Sequence, residues 1–280
     1  MSHRYEGSTA RQALLWLGVA AIVVFCLFPF YWLINTSLKT GADLSGAALL
    51  PPSPTVDNYT SIFEDTAFTN ALRNSAIIAG SVTVLSLLVG SFAGYALARL
   101  HLPFKFLILA IVLSISTFPP IAIAAPVFEL WTDIGLYNTY LGLILPSLAF
   151  GLPLTVFIMA SFFHDIPREL EEAALVDGAT RLQAFRKVVV PLAAPGVVTA
   201  GLLVFIFAWN EFLFAITLTS TPERRPVPAA IAFFTGSQQF EIPLGTISAA
   251  SVVVTVPLIV LVLIFQKRIV AGLTAGAVKG

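Results

Sequence analysis

The chain has 280 residues, of which 58% are hydrophobic and only 11% charged, and its 15 basic and 15 acidic side chains give a net charge of zero. Long apolar runs with so little charge argue against a soluble domain and indicate an integral membrane protein, while the zero net charge argues against a nucleic-acid partner. The single cysteine, Cys26, excludes a disulfide within the chain and any metal site built from several cysteines.

Six apolar segments follow one another along the chain, and each is long enough to cross a bilayer, which takes about 20 residues as a helix. They show no strand alternation. The third is the least regular, because Pro119, Pro120 and Pro126 should break or bend its far end. The sequence predicts an all-α membrane protein with spans at roughly 13–34, 74–98, 104–126, 139–163, 196–219 and 244–266.

Basic residues are distributed unevenly between the two sets of span ends. Eleven of the 15 lie at one set of ends and four at the other. Since cytoplasmic loops carry the excess of Lys and Arg, this imbalance places both termini and the segment 164–195 in the cytoplasm. The segments 41–65 and 221–243, which are rich in turn formers, are then external.

The segment 164–195 is a polar interruption that carries nine of the 30 charged residues. Ile166, Leu170, Ala173 and Ala174 recur at helical spacing, so one face is apolar or small. One alternative is an amphipathic segment lying on lipid headgroups, but such helices prefer a polar face rich in Lys and Arg, and this one is acidic. A docking surface for another protein is therefore favoured.

Two short helices meeting at an angle are predicted within this segment. Asp165 is expected to cap the first, and Gly178 to permit a sharp turn with positive φ. Thr180 and Gln183 have the spacing of a capping box at the start of the second helix. Two prolines, Pro191 and Pro195, should end the unit before the fifth span.

The pattern Glu172-Ala173-Ala174, three residues, Gly178, nine residues and then Val188-x-Val190-Pro191 resembles the EAA loop of ABC importer permeases. That family prefers Ile and Leu where this chain has Val188 and Val190, a departure that keeps the positions apolar. Other stretches are similar to the second permease subunit of maltose- and trehalose-type sugar importers: Asp57-Asn58-Tyr59, Asn74-Ser75, 208–212 and the tail 272–280.

This resemblance implies a type I ABC importer permease (MetI-like) fold with a cytoplasmic coupling helix, in the bacterial inner membrane. It divides the chain into an N-terminal segment with the first span and an external loop (1–70), a permease core (71–268) and a cytoplasmic tail (269–280). The implied partners are a second permease forming a heterodimer, two cytoplasmic ATPase subunits and an extracytoplasmic sugar-binding protein. ATP and Mg would bind the ATPase, because this chain has no Gly-Lys dipeptide and hence no GxxxxGK[ST] phosphate loop.

Three groups of residues receive roles from the resemblance, and no catalytic or metal-binding residue is expected. Gly178 would set the bend of the coupling segment, whose ATPase-docking residues would be Glu172, Ala173, Ala174 and Asp177, with Pro191 closing the motif. The tail residues that would reach the ATPase interface are Gly276, Val278 and Lys279. The loop that would enter the sugar cleft of the binding protein is Gly236, Ser237, Gln238 and Gln239, although an exposed loop without contacts is an equal alternative.

Glu211 is the one acid inside a predicted span. A charge there costs several kcal/mol unless it is paired, hydrated or near the interface. Either Glu211 and Asn210 line the sugar path or a gate, or they lie near the outer end of the fifth span and bond to a neighbouring helix.

The predicted function is the permease subunit of an ATP-driven importer for a carbohydrate, such as trehalose or maltose, without enzymatic activity of its own. A permease of the same family for glycerol phosphate or an amino sugar is the nearest alternative. An ion-coupled secondary transporter should show several intramembrane acids or an inverted repeat. A membrane enzyme would need a catalytic constellation, which the sequence lacks.

Overall fold

A computed structural model describes residues 9–234 and 243–277, and in these ranges the regular structure is helical. Helix α1 (Thr9–Ser37) is followed by a short 3₁₀ turn at Gly41–Ser45 and by α2 (Asp57–Glu64). Next come α3 (Thr66–Arg99), α4 (Lys105–Thr117), α5 (Pro120–Asp133) and α6 (Tyr140–Asp165). The chain forms two compact units. One contains α1, α2 and the beginning of the last helix, and the other contains the helices between residues 66 and 233 and the rest of the last helix.

The second half of the chain begins with a run of short elements. These are α7 (Arg168–Val176), α8 (Arg181–Ala184), a π-helical turn at Phe185–Val189 and α9 (Val190–Leu192). The remaining helices are α10 (Ala194–Trp209), α11 (Leu213–Thr217), α12 (Val227–Ala232) and α13 (Leu244–Ala277). The predicted fifth span is thus interrupted at residues 210–212, and the sixth helix runs beyond its predicted end at 266.

The third predicted span is two helices and not one, since α4 and α5 meet at an angle of 84°. The break is at Phe118, whose extended backbone (φ −72°, ψ 133°) is what a residue before proline adopts. Pro119 and Pro120 follow, and neither has an N–H to continue the helix. In the described ranges, five single helices are long and apolar enough to cross a membrane, or six spans if the bent pair counts as one.

Helices α3 and α6 form the closest helix pair in the second unit, and two glycines make the approach possible. A Cβ atom at Gly90 would lie 2.6 Å from the Thr155 side chain, and one at Gly94 would lie 2.8 Å from the Ala160 backbone nitrogen. Only the absence of a side chain allows the two backbones this near. At one end of the pair, Met159, Phe163 and Ala98 pack with residues of the π-helical turn in a buried cluster.

Candidate functional site

The polar segment after α6 has a different start from the predicted one. Asp165 was expected to cap the first short helix, but it is the last residue of α6. Ile166 precedes Pro167 and is extended (φ −74°, ψ 128°), which ends α6 there. Pro167 itself takes the cap position of α7, and no side-chain hydrogen bond caps that helix.

Gly178 has a φ of +88°, which confirms the positive φ predicted from sequence. The turn closes α7, because the Gly178 N–H donates to the Leu175 carbonyl (3.1 Å) and the Ala179 N–H to the Ala174 carbonyl (3.0 Å). A Cβ atom at Gly178 would meet nothing within 4 Å. The requirement for glycine here is therefore one of backbone conformation and not of space.

The capping box at the start of α8 is confirmed. The Thr180 hydroxyl accepts from the Gln183 N–H (3.3 Å), and the Gln183 side-chain oxygen accepts from the Thr180 N–H (2.8 Å). The two bonds satisfy N–H groups at the helix start that have no partner inside the helix.

Pro191 and Pro195 do not end the unit as predicted. Each lies in the first turn of a new helical piece, α9 and α10, where a missing N–H costs nothing. The π-helical turn before them buries Phe185 and Val189 in the cluster against α3 and α6. The second half of the segment is consequently part of the packed body, and α7 is the part that projects.

Three side chains, Tyr95, Arg99 and Glu171, hold the inner face of α7 and are named here the anchor cluster. Arg99, at the end of α3, forms an ion pair with Glu171 (3.1 Å) and donates to the Ile166 carbonyl (2.8 Å). The Tyr95 hydroxyl donates to the Glu171 carboxylate. Sequence reasoning missed this cluster; its only local signal is that Glu171, next to the Glu172 of the EAA pattern, lies about 100° from it around a helix.

The outer face of α7 and α8 combines acids with uncovered apolar side chains. Glu172, Ala173 and Asp177 are exposed, while Ala174 is half-buried. Val176 is 87% exposed and Leu182 53% exposed, and Leu170 and Leu175 are also exposed. Sequence reasoning assigned the acids and alanines to docking but missed the exposed Val176 and Leu182.

At the other end of the spans, Glu211 lies in the break between α10 and α11. Its two carboxylate oxygens accept from the backbone N–H groups of Phe214 (2.8 Å) and Ala215 (3.0 Å). Asn210 is exposed and donates locally to the Ile206 carbonyl (2.8 Å). Glu211 therefore satisfies the free N–H groups of α11, and these hydrogen bonds offset the cost of its half-buried charge.

Motif residues outside this segment act as clamps between chain segments. The Asn74 amide donates to the carbonyls of Glu223 (3.0 Å) and Arg225 (2.9 Å), and its oxygen accepts from the Tyr140 hydroxyl (2.7 Å). The neighbouring Ser75 hydroxyl accepts from the Val227 N–H (2.8 Å). Together the two residues fix the segment between α11 and α12 to α3.

A second clamp lies in the unit that contains α1 and α2. The Asn58 amide donates to the carbonyls of Ser37 and Lys39, each at 2.9 Å, and the Tyr59 and Ser37 hydroxyls lie 2.7 Å apart. These bonds fold α2 back onto the end of α1.

Glu223, an exposed acid between α11 and α12, has a carboxyl pKa below its ordinary value. Hydrogen bonds from its own backbone N–H and from the Thr221 hydroxyl lower the pKa of its carboxyl, and Arg224 and Arg225 lower it further. No group of three or more His, Cys, Asp or Glu side chains that could hold a metal occurs in the part of the chain that the structure describes.

Some predicted site residues lie outside the described residues. These are Gly236, Ser237, Gln238 and Gln239 of the external loop, and Val278 and Lys279 of the tail. Gly276 belongs to the last turn of α13.

Comparison with known proteins gives concordant results. Residues 73–274 match the family described as binding-protein-dependent transport system inner membrane component. The trehalose transport system permease protein SugB of Mycobacterium tuberculosis is 50% identical over 97% of this chain and 99% of its own length. The sulfoquinovosyl glycerol transport system permease protein SmoH of Agrobacterium fabrum is 44% identical (96% and 94%), and the trehalose/maltose transport system permease protein MalG of Thermococcus litoralis is 40% identical (96% and 98%).

Among solved structures, the chain resembles a subunit of a bacterial ABC transporter involved in the import of the acidic polysaccharide alginate. The TM-score is 0.77 at 24% identity, over 93% of this chain and 98% of that one. A chain of the MetNI methionine ABC transporter gives a TM-score of 0.58 at 16% identity, over 73% and 95%. At these identities the likeness concerns the fold alone, and it confirms the predicted all-α importer-permease fold.

Proposed function

Because the chain belongs to the family of binding-protein-dependent transport system inner membrane components, we propose that it carries a disaccharide inward in a complex driven by a cytoplasmic ATPase. It is a multi-pass membrane protein and a transport subunit, not an enzyme. The observation that carries the proposal is the 50% identity to a trehalose permease over nearly the full length of both chains.

The proposed cargo is trehalose or maltose. Two of the relatives at 40% identity or above are named for trehalose, and one of these also for maltose. A second candidate is sulfoquinovosyl glycerol, since the relative named for it is 44% identical. Both are polyhydroxylated glycosides, but the sulfoquinovosyl group carries an anionic sulfonate that trehalose and maltose lack, so the two cargoes differ in charge.

The proposed docking site for the ATPase is the outer face of α7 and α8. Its centre is Glu172, Ala173, Ala174 and Asp177, with Gly178 setting the bend and Pro191 at the return to the membrane. The exposed Val176 and Leu182 support this assignment, because uncovered apolar side chains beside charged ones are typical of an interface that a partner covers. ATP and Mg would bind the partner, and ATP-driven closure of two ATPase subunits would move α7.

Transport would then proceed by alternating access. Movement of α7 rocks the helices between a state open inward and a state open outward. ATP drives this only through its unequal affinity for the two states of the ATPase pair. The chain would form the path with a second permease, and a sugar-binding protein would deliver the cargo from outside.

The remaining assignments follow from the same proposal. Both termini would lie in the cytoplasm, where Gly276, Val278 and Lys279 would meet the ATPase. Gly236, Ser237, Gln238 and Gln239 would reach the binding protein. Asn210 and Glu211 would lie beside the path. The chain would divide into the N-terminal segment with the first span (1–70), the permease core (71–268) and the tail (269–280).

Uptake by the complete complex tests the proposal. The two permeases, the ATPase and the binding protein are reconstituted in vesicles with ATP inside, and labelled trehalose, maltose, sulfoquinovosyl glycerol and glycerol phosphate are offered separately. ATP-dependent uptake of trehalose or maltose is expected. Uptake of sulfoquinovosyl glycerol alone would select the second candidate, and uptake of none of the three glycosides would overturn the carbohydrate assignment.

A further inference from the structure

The two adjacent glutamates of α7 lie in different environments. The Glu171 side chain is 12% exposed and contacts the end of α3, while Glu172 is exposed. Successive residues of a helix are about 100° apart, so the two side chains leave α7 in different directions. The proposed docking role uses Glu172 and leaves Glu171 without a function.

The surroundings of Glu171 are those of a buried ion pair and not of a solvated surface contact. Arg99 is only 7% exposed, its guanidinium lies 3.1 Å from the Glu171 carboxylate, and it also bonds the Ile166 carbonyl at 2.8 Å. The Tyr95 hydroxyl supplies a further hydrogen bond to the carboxylate. A buried pair with additional hydrogen bonds holds its geometry strongly, because removing one partner leaves a buried charge unpaired.

The anchor cluster joins elements that are separate in sequence. Tyr95 and Arg99 belong to α3, Glu171 belongs to α7, and the Ile166 carbonyl belongs to the turn after α6. The Tyr95 ring packs against Phe185 of the π-helical turn, with centroids 4.7 Å apart, and against Phe163 of α6 at 6.1 Å. The contacts of the cluster therefore join α7 to both α3 and α6.

We infer that Tyr95, Arg99 and Glu171 are positioning residues that transmit the movement of α7 to α3, so that they set how much transport each ATP yields. This inference rests on the proposed function. The two adjacent acids then have different roles: Glu172 contributes to binding of the ATPase, and Glu171 transmits the movement of α7 to the membrane helices.

Other charged side chains lie close to the cluster. Arg168 and Arg181 line a cleft of about 350 Å³ together with Tyr95, Arg99, Glu171 and Glu172. Both are exposed, so water screens them more than it screens Arg99. Arg99 is therefore the partner whose loss should mimic the loss of Glu171.

The test compares Glu171→Gln with Glu169→Gln, which makes the same change of charge at an exposed position of the same helix. In the reconstituted complex, both variants should copurify with the ATPase and retain ATP hydrolysis. For Glu171→Gln the sugar transported per ATP hydrolysed should fall roughly tenfold, as expected for loss of a coupled contact. The Glu169→Gln control should keep the wild-type ratio.

A double-mutant cycle separates transmission from general damage. Arg99→Gln alone should lower the sugar transported per ATP as Glu171→Gln does. In the double variant this ratio should fall less than the product of the two single fold-changes, because no charge is left unpaired. Tyr95→Phe removes one hydroxyl from the cluster and should lower the ratio by a smaller factor. If Glu171→Gln fails to accumulate in the membrane, the ratio measured for Tyr95→Phe tests the inference in its place.

Hydrogen exchange of α7 in the purified complex provides a readout that needs no cargo. Exchange over residues 168–176 should be faster in Glu171→Gln than in Glu169→Gln. Loss of the ATPase from the Glu171 variant, an unchanged ratio in Tyr95→Phe, or equal exchange in the two glutamate variants would overturn the inference. Absence of sugar uptake by the wild-type complex would instead count against the proposed function. The hydrogen-exchange comparison would still test whether the anchor cluster holds α7 in place.

Discussion

Asn74 shows how a short motif acts through contacts with the backbone. Its amide and carbonyl groups join the carbonyls of Glu223 and Arg225 to the hydroxyl of Tyr140. The sequence revealed the Asn74-Ser75 pair only through resemblance, because its partners are 66 to 152 residues away along the chain and no local pattern indicates them. Gly178 is the contrasting residue: its positive φ was predictable, since the signal lies in the adjacent helix end.

Asn74→Ala should destabilise the permease by about 2–3 kcal/mol, because the Glu223 and Arg225 carbonyls and the Tyr140 hydroxyl would lose their partner in part-buried hydrogen bonds. Thermal unfolding in detergent measures the effect. Asn210→Ala is the matched control, since Asn210 is exposed and makes one local bond, and it should change stability by less than about 0.5 kcal/mol. Equal effects of the two changes would contradict the clamp role of Asn74.

Gly178→Val should weaken attachment of the ATPase without preventing membrane insertion. A β-branched side chain at φ +88° adds about 1–2 kcal/mol of strain, and α7 would relieve it by changing its exit angle. Copurification with the ATPase is the measurement. Gly178→Asn is the control, because Asn tolerates the left-handed region better, and it should retain more ATPase than the valine variant does. Identical retention in the two variants would show that the bend is unimportant for docking.

At the scale of elements, the structure confirms the sequence predictions that depend on residues only a few positions apart. The Thr180–Gln183 capping box and the Pro119–Pro120 break belong to this group, although the break's angle was not predictable. Pro191 was misinterpreted because proline suits the first turn of a helix as well as its end. The π-helical turn and the inward position of Glu171 depend on packing against α3, which the sequence does not specify.

Gly94→Ala tests the packing of α3 on α6. The new Cβ atom would lie 2.8 Å from the Ala160 backbone nitrogen, so the helices must separate, at a cost of about 1–3 kcal/mol. Gly80→Ala makes the same change in the same helix where nothing lies within 4 Å, and it should be neutral or slightly stabilising. Unfolding of the two purified variants under the same conditions compares them directly, and an equally destabilised Gly80 variant would show that the close approach at Gly94 is not the cause.

Glu211→Gln tests whether Glu211 acts as a helix cap. The amide keeps one acceptor oxygen but replaces the other with a donor, so one of the two bonds to α11 is lost, at about 1 kcal/mol. A cap role predicts a small loss of stability and near-normal uptake. Abolished uptake at unchanged stability and assembly would instead favour a place in the sugar path.

At the scale of the whole molecule, two contacts fix the direction of α3 relative to α6. Asn74, near the start of α3, bonds Tyr140 at the start of α6, and Arg99, at the end of α3, bonds Ile166 just after the end of α6. The two helices are therefore parallel. Because each crosses the membrane in the same direction, the bent pair α4–α5 between them has to return across the bilayer, which favours six crossings over a re-entrant loop.

Cysteine labelling of intact cells tests on which side of the membrane the two ends of α4–α5 lie. In a Cys26→Ser background, which leaves no other cysteine, a single cysteine is placed at His101, between α3 and α4, or at Asp133, at the end of α5. Both positions are exposed. Since α4–α5 lies between them, six crossings require a membrane-impermeant maleimide to label the two from opposite sides. The excess of basic residues at the inner ends predicts that Asp133→Cys reacts in intact cells and His101→Cys only after permeabilisation. The reverse pattern would keep the six crossings but invert the orientation. Labelling of both from the same side would show that α4–α5 re-enters and that α3 and α6 cross in opposite directions, against the contacts at both ends of the pair.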